Sequence, residues 1–477
     1  MNAGLLFSLL LIGLVCIKLY SKVIRPASLT LLDLLYLPCG LVFGIQSLFI
    51  FFYFGRDIDY FSPATLTKVY LAVFLFLIAI EIMSVANSKV LSKYHTKLDL
   101  TRVTLKAFIK GPALSNLGII LVLGYCVAIR LYMGFNFGIF FSGTATEENI
   151  LGLPYYLVML SQFGRLFENG LVLCLFILIS TNKPRGGRRK ILFGCALVFL
   201  FIINFSEGRR WLLAFFAQGY LVYLFSLGRF RFRILVSALI VGLIFIFILI
   251  PGFLNIRDVY LGELSTGDKN VLRQFPFLGI WDSEKNSIYS EQLSPLSVLA
   301  DNLVARGTAT SFIGDIFEAQ KVIPPMHGMA LQSVFKWAVP RSLSPRKTSL
   351  LPTEQLIQLH YGLPLRDQQI TWIALGIADY GIIGGFSAGI VIAALIILLG
   401  LFGIRVYRRT PFVALSLIGT LISFIIVFEE DPVVLLAIGR NSLAIWVIAY
   451  LIHLIRKEGV RTIMKRSFAQ RTISDWK

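Results

Sequence analysis

Residues 371 to 402 read TWIALGIADYGIIGGFSAGIVIAALIILLGLF, with Asp379 as the one charged residue. A bilayer's hydrocarbon core, about 30 Å thick, is crossed by about 20 consecutive apolar residues in α-helix, because a helix satisfies its backbone groups without water. The stretch therefore predicts a span. The same criterion predicts others before it, near residues 3 to 21, 30 to 54, 66 to 88, 114 to 133, 155 to 180, 190 to 205, 211 to 227 and 233 to 254. Two more follow, near 411 to 428 and 432 to 454. The expected fold is an all-α polytopic membrane protein with about 11 (11–12) transmembrane helices. Composition agrees: 57% of the 477 residues are hydrophobic, 15% are charged, and the mean hydropathy is +0.78. A water-soluble core of this length would not hide that much apolar surface.

The 45 Lys and Arg outnumber the 26 Asp and Glu, which in a soluble chain would suggest nucleic acid. Here the basic residues fall in alternate loops, as the positive-inside bias requires. Lys18, Lys22 and Arg25, then Lys89 to Lys110, Lys183 to Lys190, Arg229 to Arg233, Arg405 to Arg409 and the tail from Arg456 lie on one side. Asp57 and Asp59, Glu147 and Glu148, and the turn Glu429-Glu430-Asp431 lie on the other. This places the N-terminus outside, the C-terminus in the cytoplasm, and no nucleic acid among the partners. The first apolar run has no preceding Lys or Arg and no small-residue cleavage motif, so it reads as a retained span. The five Cys sit in apolar runs without paired spacing, which points to neither disulfides nor zinc.

Residues 255 to 370 break the pattern, since they carry Pro, Gly, Ser and charges without an uninterrupted apolar run. Parity puts them outside. The expected organisation is 1–254 as about eight N-terminal spans, 255–370 as a large external segment containing short helices, 371–454 as about three spans, and 455–477 as a basic cytoplasmic tail.

Three constellations stand on the external side. The turn Ser206-Glu207-Gly208-Arg209-Arg210-Trp211 places two guanidiniums where the charge bias disfavours them. Planar forks with five N–H donors each suit a diphosphate, although a snorkelling interfacial anchor beside Trp211 would look the same. The second runs from Gly328 to Lys347, where prolines around Arg341, Arg346 and Lys347 would hold cations against an anion; a solvated basic loop is the competing reading. Arg306 is a further loop cation. The third comprises Glu354, His360 and Asp379-Tyr380-Gly381. His327, His360 and Glu354 are the candidate general bases, while Asp379 in an apolar stretch is costly unless it faces a cavity or partner. Arg130, Arg165, Glu168 and Arg440 are charges inside predicted spans, and Arg165 and Glu168, three apart, are expected to pair on one helical face.

This arrangement resembles the Wzy-type oligosaccharide repeat unit polymerases of bacterial surface polysaccharide synthesis. The resemblance rests on Gly328, Pro340-Arg341, Pro345, Lys347, Asp379-Tyr380-Gly381 and Gly384, and on Ser206 to Arg210, a turn similar to one in O-antigen ligases. It implies a glycosyltransferase of the multi-span C type in the bacterial cytoplasmic (inner) membrane, without cofactor, metal or nucleotide sugar. Its donor and acceptor would be polyprenyl-diphosphate-linked oligosaccharides, such as those on undecaprenyl diphosphate. The products would be O-antigen, capsule or exopolysaccharide, and a chain-length regulator protein is an implied partner. Arg209, Arg210, Arg306, Arg341 and Lys347 would bind the diphosphate, with Glu207, Asp379 and Tyr380 shaping the pocket. An O-antigen ligase and a transporter or flippase for lipid-linked sugars are the alternatives, and a structural or sensory membrane protein stands further off.

Overall fold

In a computed structural model, the described residues are 3–24, 29–48, 61–93, 114–137, 154–181, 187–207, 209–227, 309–339, 350–365, 370–407, 410–427 and 433–450. They form an all-α membrane protein, without a β-strand among them. Among the described residues six helices are long and apolar enough to cross a membrane: α1 (Ala3–Ile24), α3 (Pro63–Lys93), α4 (Asn116–Phe137), α5 (Tyr155–Thr181), α12 (Ile382–Tyr407) and α14 (Val433–Tyr450). Four other stretches that read as spans hold shorter apolar runs, namely Asp33–Leu48 (α2), Ile191–Phe205 within α6 (Gly187–Glu207), Trp211–Tyr223 within α7 (Arg209–Leu227) and Pro411–Val427 (α13). The predicted span at 233 to 254 lies outside the described residues.

α2 is irregular for a reason visible in its residues. It opens as a 3-10 turn at Asp33–Leu35, runs α-helical over Tyr36–Cys39 and widens to a π-helix over Gly40–Ile45. Pro38 cannot donate to the ladder, and irregular helix of this kind is where a proline is absorbed. α1 and α3 run parallel, tied by Ser8 Oγ to Tyr70 OH at 2.6 Å and by Lys18 Nζ to Glu81 at 2.5 Å.

Backbones approach closely where glycines allow it. A Cβ on Gly385 would lie 2.2 Å from the Ala72 carbonyl oxygen, and one on Gly389 would lie 2.7 Å from that of Phe76. These two glycines, four residues apart, let α12 seat on α3 in the small-xxx-small manner that packs helices where no hydrophobic force between them exists. α5 meets α13 similarly, since a Cβ on Gly419 would come within 2.6 Å of the Asn169 carbonyl.

α5, α7 and α13 also share a buried polar junction. Gln218 Nε2 lies 3.0 Å from Asn169 Oδ1, 3.2 Å from the Gly419 carbonyl and 2.6 Å from Ser423 Oγ, so its two hydrogens serve three oxygens. Ser423 also donates to Asn169 Oδ1 at 2.7 Å, while Gln218 Oε1 has no partner. Gln218→Leu should therefore change stability by only about 1 kcal/mol or less, the usual scale of interhelical hydrogen bonds in membranes. Thermal melting in detergent measures this.

Between the spans lie α8 (Ala309–Ala319), α9 (Met329–Ala338), α10 (Thr353–His360) and α11 (Trp372–Tyr380). The segment preceding α11 thus does carry short helices within its described part. α8 docks on the start of α3, where Thr65 Oγ1 donates to Glu318, whose carboxyl Lys321 and Thr65 hold below the ordinary carboxylate range.

Candidate functional site

The stretch 371 to 402, expected as one continuous span, is two helices joined at Gly381. α11 starts with Thr371 accepting from the Ala374 amide at 3.1 Å, and it ends where Gly381 takes φ 61 and ψ −143, a conformation open to glycine. Asp379 consequently sits in the last turn of a short separate helix, not a third of the way into a span.

The carbonyls at the end of α11 are met from the preceding segment, and that of Ile377 also accepts from the Gly381 amide at 2.8 Å. Gln320 Nε2 donates to the Ile377 carbonyl at 2.8 Å, Tyr361 OH and the Met326 amide to Ala378 at 2.7 and 2.9 Å, and the His327 amide to Asp379 at 3.0 Å. A buried apolar helix is stable only with its end groups satisfied. Burial pushes the Tyr361 phenol above its ordinary range, so its hydroxyl remains a donor.

The Asp379 side chain works in the opposite direction. It is 1% exposed, and its two oxygens accept from the amides of Ala330 and Leu331, each at 2.9 Å. These amides belong to the first turn of α9, where the helix dipole favours a negative charge. At the other end of α9, Arg440 Nη1 donates to the Ala338 carbonyl at 2.6 Å. One helix is thus held by a carboxylate at its positive end and a guanidinium at its negative end, and both charges come from outside it. The partner that Asp379 needs is this helix, and no sequence pattern marks the pairing.

Arg440 joins α9 to the bundle. Its Nη2 donates to Gln162 Oε1 at 3.1 Å, and Asn441 Nδ2 donates to the same oxygen at 2.9 Å. Gln162 is on α5, and Arg165 stands one turn further along that helix. The Arg165 guanidinium lies 4.4 Å from the centre of the Trp211 ring, a cation–π contact. Trp211 is buried in the first turn of α7, immediately after Arg209 and Arg210. The contacts thus run from Ala338, two residues before Pro340-Arg341, through Arg440, Gln162 and α5 to the Arg209-Arg210 turn. Ala338 and the start of α7, far apart in sequence, are both tied to α5.

Arg165 and Glu168 do not form the expected pair. Glu168, 3% exposed, is bound instead by Arg130 of α4, whose Nε and Nη2 each lie 3.3 Å from a carboxylate oxygen. A fork on a neighbouring helix meets a carboxylate with both oxygens, which a residue three positions away on the same helix does poorly. That leaves Arg165 stacked on Trp211.

His360 Nε2 lies 3.0 Å from the Pro324 carbonyl. A carbonyl only accepts, so Nε2 carries the proton and Nδ1 is the basic nitrogen. His327 is exposed with a left-handed φ of 50, in the turn that leads into α9. Glu354 accepts from Gln358 one turn along α10 at 3.3 Å. It lies six residues before His360, so the two project about 120° apart and do not form a pair. Tyr380 is 46% exposed, and its hydroxyl would stand 2.9 Å from a Cβ on Gly328. Glu207, Arg209 and Arg210 are described by backbone alone, while Arg306, Arg341 and Lys347 lie outside the described residues. Among the described residues no three His, Cys, Asp or Glu gather as a metal site would require. Compared with known proteins, the chain matches no family model, no curated protein and no solved structure.

Proposed function

We propose that the chain polymerises polyprenyl-diphosphate-linked oligosaccharide repeat units into a surface polysaccharide, as a multi-span glycosyltransferase of the C type working at the external face of the bacterial inner membrane. The observation that carries this reading is the chain of contacts through Arg440 and Gln162. It links the segment entering Pro340-Arg341 to the α7 start at Arg209-Arg210, beside which Arg165 is stacked. The N-terminus of a 19-residue helix adds its own positive end to these guanidiniums. By the charge bias this end of α5 and α7 faces outward.

In the proposed reaction an acceptor hydroxyl oxygen bonds to the donor's anomeric carbon as that carbon's bond to the diphosphate oxygen breaks. The hydroxyl proton passes to a base, for which His360 Nδ1, His327 and Glu354 are the candidates. The electron pair leaves with the polyprenyl diphosphate, whose added charge Arg165, Arg209, Arg210, Arg306, Arg341 and Lys347 offset. A transporter path is less well supported, because Glu168, Arg130 and Arg440 are engaged in helix-to-helix contacts.

The test is reconstitution in nanodiscs with a synthetic polyprenyl diphosphate oligosaccharide and no nucleotide sugar. A ladder of lipid-linked products is expected, with initial rates lowered about tenfold or more by Arg165→Ala and by Arg210→Ala. No ladder from the wild type with any repeat unit, together with movement of intact lipid-linked sugar between leaflets, would overturn the proposal.

A further inference from the structure

α9 presents three different faces. Ala330, Ser333 and Val334 are buried against the protein, Gln332 and Lys336 form an exposed polar edge, and Leu331 and Phe335, four residues apart, form an apolar edge that Val339, the residue after the last turn, continues. On that last edge Phe335 is 47% and Val339 38% exposed.

The depth of this edge follows from its anchor. Arg440 is the eighth residue of α14, about 10 Å along the helix from its start. It shares a helical face with Leu443 and Val447, three and seven residues on, which are 50% and 41% exposed. Exposed apolar residues on a spanning helix are its lipid-facing side. Arg440 therefore tops a lipid-facing stripe, and the Ala338 carbonyl it binds at 2.6 Å lies at that surface. A guanidinium in that position reaches toward the headgroups and takes a polar partner there.

From these observations we infer that the C-terminal half of α9 inserts into the bilayer leaflet at this end of the bundle, with Phe335 and Val339 against lipid acyl chains. The helix is a membrane-seated wedge. Its polar edge, Gln332 and Lys336, keeps to water, as in amphipathic helices at membrane interfaces. The seat is independent of the reaction proposed above, since it rests only on α9, Arg440 and the stripe below.

The experiment is site-directed fluorescence in nanodiscs, in a background carrying serine at the two exposed cysteines, Cys16 and Cys195. Phe335→Cys and Val322→Cys are each labelled with bimane and quenched by doxyl-labelled lipid or by aqueous iodide. Val322, 89% exposed in the turn after α8, serves as the water-side reference. The expected result is at least about threefold more lipid quenching at position 335 than at 322, and the reverse with iodide. Thermal melting of each labelled protein verifies that it is folded. Equal iodide quenching at the two positions in folded protein would overturn the inference and make the apolar edge the wall of a water-filled cleft.

Discussion

Gly384→Leu is expected to yield no folded protein. A Cβ at Gly384 would stand 1.8 Å from the Gly376 carbonyl oxygen, and one at Gly376 would stand 2.1 Å from that of Gly384. Both obstacles are backbone, at the hairpin where α11 turns back on α12. Overpacking against side chains costs about 1–3 kcal/mol after they rearrange. Here nothing rearranges without separating the two helices, so the cost should exceed about 3 kcal/mol. Gly13→Ala is the control, because no atom stands within 4 Å of its added Cβ. Fluorescence-detected size exclusion of a tagged protein should give a monodisperse peak for Gly13→Ala and only aggregate for Gly384→Leu. A monodisperse Gly384→Leu melting near the wild-type temperature would refute the close crossing.

The second large effect concerns the two ends of α9. Asp379→Ala deprives the Ala330 and Leu331 amides of their acceptor. Leaving buried donors unsatisfied costs about 1–3 kcal/mol, and the lost charge at the helix's positive end adds to it. Asp379→Asn, which keeps one acceptor oxygen, should lose less. Arg440→Ala removes the bond to Ala338 and the one to Gln162 together. If α9 docks as a unit, releasing one end makes the other contact worth less. The double variant should then lose less stability than the two single losses added, with a coupling of about 0.5–3 kcal/mol. Hydrogen exchange over residues 329–338 should speed up in either single variant. Strict additivity with unchanged exchange would mean that the two charges act separately.

Hydropathy made the membrane class and most helix positions legible, because about twenty apolar residues in a row leave few alternatives. Only part of the arrangement was visible in that way. The stretch 371 to 402 looked continuous because hydropathy does not register Gly381 in a left-handed conformation or the four donors that cap α11. Asp379 was recognisable as costly, but its partner is a helix some fifty residues earlier. Arg165 and Glu168 satisfied the spacing for a local pair, yet tertiary packing supplied Arg130 and Trp211 instead. Gly385 and Gly389 did carry a readable signal for the α3 contact in their four-residue spacing. The basic motifs were visible individually, and the link from Ala338 through Arg440 to Gln162 was not, since an uncharged amide in an apolar helix attracts no notice.

The capping of α11 has a consequence for how the chain is made. Gln320, Met326, His327 and Tyr361, which satisfy its last carbonyls, all precede it in the sequence. During synthesis they leave the ribosome first, so the donors exist before the acceptors that need them. The hairpin of α11 and α12 can therefore settle only after the preceding segment has folded. A nascent chain halted before residue 371 would hold a prepared cradle with its occupant still unmade, and slow folding of that segment would leave the last carbonyls of α11 without these donors.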